Sequence, residues 1–207
     1  MHREMKKTDY KKELKHLYKP SAKKIEFVEV PKMNFLMING KGNPNTSTEY
    51  QSAVETLYAV SYAVKFLIKK SNLQIDYGVM PLEGLWWVDD MREFDINNKD
   101  NWKWTAMIMQ PEIVTKEHIE TAIEQVKKKK SLEGLSKIEF TPFQEGTSVQ
   151  TLYIGPFTDE GPTIEKIHNF IIENKVILSG KHHEIYLSDI RKAKPENWKT
   201  IIRQPVK

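Results

Sequence analysis

The sequence predicts an α+β fold: duplicated βαββ units paired about a pseudo-two-fold axis into one antiparallel layer, with helices on one face and a ligand groove between the repeats. Three observations carry this. The two halves run through the same order of segments: strand, turn with Gly and Pro, helix, strand, turn, strand. "NWKWTAMIMQP" at Asn101–Pro111 is echoed by "NWKTIIRQP" at Asn197–Pro205, each an Asn-Trp-Lys leading into an apolar strand that stops at Gln-Pro, with spacings that differ by two residues. With 207 residues and 39% hydrophobic content the chain is long enough to bury a core of its own.

The elements follow in order. Residues 1–22 read as an N-terminal arm, amphipathic or frayed, with Tyr10, Leu14, Leu17 and Tyr18 at near-helical spacing and a stop at Pro20. Residues 23–207 form a single domain of two repeats, about 23–111 and 136–207, joined by a helix near 115–130. Strands are expected at Ile25–Val30 and Asn34–Asn39, separated by Pro31. After the turn-rich "GKGNPN", Thr46 and Glu49 form a capping box for a long helix whose apolar face is Val54, Leu57, Ser61, Val64 and Ile68. "GLWWV" and the tail of "WKWTAMIMQP" alternate as strands do, and Thr115 opens the connecting helix with Ile119, Ala122, Ile123 and Val126 on one side. A strand near Ile138–Phe140 leads into "SVQTLYIG". A shorter helix with Ile164, Ile167 and Ile171 follows, and "HEIYL" and "KTIIRQP" close the chain.

Composition excludes several classes. The 32 Lys+Arg against 28 Asp+Glu are scattered rather than gathered on one element, and Lys127–Lys130 end a helix-like segment, where cations suit the helix dipole. No helix-turn-helix precedes the first strand, so no nucleic-acid partner is expected. No apolar stretch reaches the eighteen or so residues of a membrane span, and no secretory signal is readable, so no membrane partner and a cytoplasmic location are expected. The absence of cysteine rules out disulfides and thiolate chemistry.

The duplication locates the groove. Laying the second half on the first sets Gly84, Leu85, Trp86 and Trp87 against Glu184, Ile185, Tyr186 and Leu187, and Met37 against Tyr153. Strand alternation gives Glu184 and Tyr186 one face, and Gly84 and Trp86 one face, so Trp86 joins the carboxylate in the groove while Trp87 packs backwards with Leu85 and Leu187. A one-residue slip in register inverts that assignment. Trp102 is expected to pack rather than touch ligand, and Trp104 fits either role.

The motifs "DYKKELKHLYKPSAKK", "MNFLMINGKGNPN", "PLEGLWW", "WKWTAMIMQP", "LYIGPFTDEGPTI" and "HHEIYLSDIRKAKPENWKTIIRQP" together cover nearly the whole chain, which thereby resembles the GyrI-like small-molecule-binding proteins and specifically their free-standing bacterial branch. The resemblance implies a duplicated βαββ fold and an aromatic groove with one central glutamate, which falls on Glu184. It also implies hydrophobic aromatic, often cationic, ligands. The free-standing branch includes hydrolases that open the cyclopropane of cyclopropanoid DNA-alkylating antibiotics and so detoxify them.

On that reading Glu184 is the general base, its pKa expected to rise through burial, and it holds one water against the ring carbon. The Tyr153 hydroxyl stabilises the developing phenolate, Trp86 and Trp104 sandwich the planar core, and Tyr186 and Met37 complete the lining. Without the resemblance Glu184 reads as an edge carboxylate paired with a lysine, and Tyr153 and Tyr186 serve equally well as core tyrosines. Non-catalytic sequestration of hydrophobic drugs is the alternative function. Inhibition of a protein partner such as gyrase is a more distant one. His182 and His183 diverge as neighbours on a strand, and His16, His118 and His168 have no partner at useful spacing, so no metal is expected. "GKGNPN" matches no phosphate-cradling pattern and no Ser-His-Asp arrangement is readable, so no cofactor is expected either.

Overall fold

The computed structural model describes residues 5–90 and 98–207. In chain order the elements are β1 (Lys6–Thr8), α1 (Tyr10–Glu13), α2 (Lys15–Tyr18), β2 (Glu26–Val30), β3 (Met33–Lys41), α3 (Thr48–Lys70), β4 (Ile75–Tyr77), β5 (Leu82–Trp87), β6 (Lys103–Gln110), α4 (Lys116–Lys127), β7 (Glu139–Phe143), β8 (Gly146–Ile154), α5 (Gly161–Glu173), β9 (His182–Tyr186) and β10 (Lys199–Pro205). Eight strands form one antiparallel sheet in the order β2-β8-β10-β9-β5-β6-β3-β7, and β1 pairs β4 in parallel apart from it.

That order reads the same from both ends under the duplication. The central pair β5 and β9 corresponds across the axis, as do β6 and β10, β3 and β8, and β7 and β2. Gly84 sits directly across from Glu184, Trp86 from His182 and Leu82 from Tyr186, the pairing a two-fold axis between Gly84 and Glu184 demands. The leading strand of each half crosses over: β2 pairs β8 and β7 pairs β3.

The register also dates the duplication residue by residue. Trp86 pairs Trp104 and Tyr186 pairs Thr200, so Trp104 corresponds to Thr200 and, two residues back, Trp102 to Trp198. The two Asn-Trp-Lys tripeptides therefore superpose, and the two Gln-Pro stops do not. Extending the ladders, Gly40 pairs Trp104 and Tyr153 pairs Thr200, so the partner of Tyr153 across the axis is Gly40. The expected match of Met37 with Tyr153 is thus three residues off, an odd number, which reverses the face.

Directly paired residues share a face, so one face carries Glu184, Tyr186, Trp86, Trp104 and Tyr153, and the other carries His183, Glu83, Met107 and Met37. The long helices α3 and α5 cover the first face. Gln110 reaches Ser61 of α3 through a 3.1 Å hydrogen bond, and Ile167 and Ile171 of α5 pack on Val149, Ile202 and Val206. Helix α3 is capped one residue later than the capping box predicts: Ser47 accepts from the Tyr50 N–H at 3.2 Å.

The second face is closed by the arm, whose first four residues lie outside those described. The arm is docked, not frayed. Leu17 and Tyr18 are buried, and Tyr18 donates to Glu83 at 2.8 Å. Below it lies a buried cluster in which His183 bridges Glu83 (3.0 Å) and Glu145 (2.9 Å), and Arg203 meets Glu145, Gln150 and the Leu17 carbonyl.

Candidate functional site

Alternation along β9 turns His182, Glu184 and Tyr186 toward the helices, at the centre of the sheet. Glu184 is 5% exposed. Its Oε2 accepts a 2.6 Å hydrogen bond from the Tyr186 hydroxyl, and its Oε1 lies 3.2 Å from His182 Nε2. An ionised carboxylate only accepts, so that imidazole nitrogen carries the proton. Across the axis Gly84 has no side chain to compete for this space, and a Cβ there would come within 2.7 Å of the Trp86 indole nitrogen. Gly40 does the same for Trp104, whose ring lies 2.2 Å from where its Cβ would be.

Around the carboxylate the rings form a cage. Tyr50, in the first turn of α3, packs on Trp86 at 5.5 Å and edge-on to Trp104 at 5.0 Å, and Trp86 packs on Trp102 at 5.5 Å. Lys99 Nζ stands 4.7 Å above the Trp102 ring. Among the described residues the buried indole N–H groups of Trp86 and Trp104 have no hydrogen-bond partner, nor does Thr200 Oγ1. Trp87, on the opposite face, carries Lys181 Nζ 3.3 Å over its ring. The paired tryptophans are thus divided between a cage and a half-buried back surface.

A second carboxyl enters from the residue before α5. Glu160 is buried, and its pKa is pushed up to about 9, first by burial, then by the negative charge of Glu184 nearby. Glu184 moves the other way. Burial raises it, but hydrogen bonds from His182 and Tyr186 and the positive charge of Lys99 outweigh that and leave it below the usual carboxylate value. The expectation of a raised pKa on Glu184 is therefore corrected: the elevated carboxyl is its neighbour. At neutral pH the pair is one anion and one neutral acid.

Of the six residues the sequence nominates, Glu184, Tyr186, Trp86 and Trp104 come together. Tyr153 and Met37 do not. Tyr153 lies two strands from β9, donates its hydroxyl to the Pro156 carbonyl at 2.9 Å, and lines a separate cleft of about 580 Å³ with Lys23, Lys24, Lys166 and Phe170. Met37 is on the far face because of the three-residue offset. Glu160, His182 and Tyr50 were not nominated. The signal for His182 was present, since it shares the alternation of Glu184. Among the described residues no three carboxylate, imidazole or thiol groups are arranged to hold a metal ion, and no helix is long and apolar enough to cross a membrane.

Comparison with known proteins places this geometry. The profile of a family described as a GyrI-like small molecule binding domain matches residues 23–207. An uncharacterized conserved protein from Listeria innocua is 43% identical, with 96% of this chain and 99% of that chain covered and a TM-score of 0.88. A hydrolase encoded by lin2189 of Listeria innocua is 42% identical over 98% of this chain and 100% of that chain, with a TM-score of 0.86. The C-terminal domain of EcmrR, 13% identical with a TM-score of 0.54 over 89% of this chain and 97% of its own, shares the fold. No curated protein matches the sequence.

Proposed function

The chain belongs to the GyrI-like small-molecule-binding family, and from that premise we propose that it is a hydrolase that adds water to flat aromatic electrophiles, opening the cyclopropane of cyclopropanoid alkylating antibiotics. The observation that carries this reading is Glu184, buried at the centre of the sheet with Tyr186 and His182 on its two oxygens, beside the Tyr50, Trp86 and Trp104 rings. The 42%-identical Listeria innocua protein is described as a hydrolase, which supports the reaction class.

The chemistry follows from Glu184 and its neighbour Glu160. The planar core of the substrate packs against the aromatic wall formed by Tyr50 and Trp86, backed by Trp104, which limits water and holds the cyclopropane near Glu184. Glu184 takes a proton from a water molecule. The water oxygen bonds to the cyclopropane CH₂ while that carbon's bond to the spiro centre breaks, and the released electron pair aromatises the dienone to a phenolate. Glu160, as neutral acid, supplies the proton that the phenolate needs. Glu184 is left protonated and Glu160 ionised, and return of one proton from Glu184 to Glu160 restores the starting state. One water is consumed and the protein is unchanged.

Sequestration is the second reading, favoured by the density of rings and the two unpartnered indole N–H groups, which suit a carbonyl-bearing ligand whether or not it reacts. Incubation of the purified protein with a cyclopropanoid antibiotic, followed by mass spectrometry, separates them: the product heavier by one water is expected, and unaltered antibiotic retained by the protein would favour sequestration.

A further inference from the structure

The outermost strand pairs of the sheet are equivalent residue by residue. Carrying the match of Gly40 with Tyr153 down the ladders sets Met37 against Gln150, and therefore Glu139 against Glu26. The sequence agrees, since Lys24-Ile25-Glu26-Phe27 and Lys137-Ile138-Glu139-Phe140 are the same tetrapeptide. What surrounds that tetrapeptide differs. Beside β3, the turn Glu133–Ser136 is pressed into place: a Cβ on Gly134 would come within 2.5 Å of Thr56 Oγ1 in α3 and 3.3 Å of Ile38 Cδ1. Leu135 packs on the core there, and Lys137 reaches Glu49, in the first turn of α3, at 2.7 Å.

Beside β8 the same positions stay open. Exposed Ala22 stands where Leu135 packs, and Thr151 where Ile38 packs. The Thr151 hydroxyl meets the Lys24 carbonyl at 2.9 Å and the Ser21 carbonyl at 3.3 Å, so the turn that carries Lys23 and Lys24 is fixed to the strand. The helix on this side brings a cation in place of an acid. Thr163 and Lys166 of α5 line the cleft of about 580 Å³ together with Lys23, Lys24, Ile25 and Phe170, a size within the range of small-molecule sites. Lys24 turns to Glu26 on its own strand, and among the described residues no carboxylate pairs with Lys23 or Lys166. Three ammonium groups against one carboxylate leave the cleft positive, while Ile25 and Phe170, packed on the small core under α5, give it an apolar side.

We propose that this cleft is a second ligand site, separate from the groove at Glu184, and that it takes a free amphipathic organic anion: a carboxylate or sulfonate head held by Lys23 and Lys166, with an apolar body against Ile25 and Phe170. The repeat states the chemistry. Where the sheet edge beside β3 satisfies its lysine with Glu49 and fills the space with Leu135, the edge beside β8 has room and uncompensated positive charge, so the complement is a molecule that carries both the missing carboxylate and the missing apolar volume. The site is concave, which suits a whole small molecule rather than a flat lipid surface. This inference goes beyond the hydrolytic reading and does not depend on it.

The test follows the fluorescence of anilinonaphthalene sulfonate as it binds the full chain, and its displacement by decanoate. Lys23→Glu combined with Lys166→Glu reverses the charge at two exposed side chains of the cleft, and Lys127→Glu combined with Lys128→Glu changes the net charge equally at the end of α4. The cleft variant is expected to weaken both the dye and decanoate about tenfold or more with an unaltered melting temperature, and the control variant to change them less than about twofold. Raising the salt concentration should weaken the parent and leave the cleft variant nearly unchanged. Equal losses in the two variants, no loss in the cleft variant, or failure of decanoate to displace the dye would overturn the site. Sedimentation of the protein with phosphatidylglycerol vesicles, lost in the cleft variant, would overturn the free-ligand reading and make the cleft a contact with a lipid surface.

Discussion

Glu160 and Glu184 show how two identical side chains acquire different chemistry from their surroundings. Glu184 is held as an anion by His182, Tyr186 and Lys99, whereas Glu160 is desolvated beside an existing negative charge. If Glu160 is the proton donor, turnover should be level across neutral pH and fall as pH rises through about 9, where the acid ionises. Glu160→Gln should lower kcat and abolish that alkaline limb, as a pH–rate profile of both proteins would reveal; an unchanged limb in the variant would assign it to another group. The central position of Glu184 was legible from the family resemblance, with strand alternation and the duplication setting it on the face of Tyr186. Glu160 was not, since it precedes a helix and no periodicity states which way such a residue turns. The direction of the Glu184 pKa was misread for a related reason: burial can be inferred from a sequence, but the hydrogen bonds that outweigh it are tertiary.

At the scale of elements, the arm and the central strands depend on each other. The arm's amphipathic spacing was readable, but its docking was not, because its partners Glu83, Gln150 and Arg203 come from three distant strands. Arg203 is 1% exposed and neutralises Glu145 while holding the Leu17 carbonyl at 2.7 Å. Replacing it leaves the buried Glu145 and Glu83 to share His183 alone, and breaking a buried ion pair typically costs about 3–5 kcal/mol. Arg203→Met should therefore lower the denaturant midpoint steeply and make the first twenty residues sensitive to protease; a midpoint near that of the parent would mean the cluster is not a latch. The strand offset of Met37 belongs to this scale too. Three residues of uncertainty in aligning β3 with β8 left both as correct strands but exchanged which side chains meet the groove.

For the whole molecule, the pseudo-two-fold was the most legible property and the asymmetry within it the least. Gly84 faces Glu184 across the axis, so one repeat supplies the charge and the other the room for it. The buried ionisable groups also give the fold a pH dependence. Glu160 binds a proton in the folded state up to about 9 that the unfolded chain releases near 4.5. Its contribution to stability therefore declines as pH rises between those values. His183 is lifted to about 9 by Glu145 and Glu83 against the effect of burial, so its favourable contribution is complete below its unfolded value near 6.5 and is lost as pH rises through 9. Both act in one direction, and the melting temperature should fall between pH 6.5 and 9, with Glu160→Gln flattening part of the slope. A melting temperature that is constant or rises over that interval would contradict the burial of these two groups as protonated species.

The account turns on Glu184 as the group that accepts a proton from water. Glutamine preserves its size and can hydrogen-bond to Tyr186, but it cannot take that proton. The direct measurement is single-turnover hydration of a cyclopropanoid substrate by Glu184→Gln, with ligand affinity followed in parallel by quenching of tryptophan fluorescence. The expected result is affinity close to that of the parent and a rate lower by about a hundredfold or more; hydration at a rate near that of the parent would contradict it.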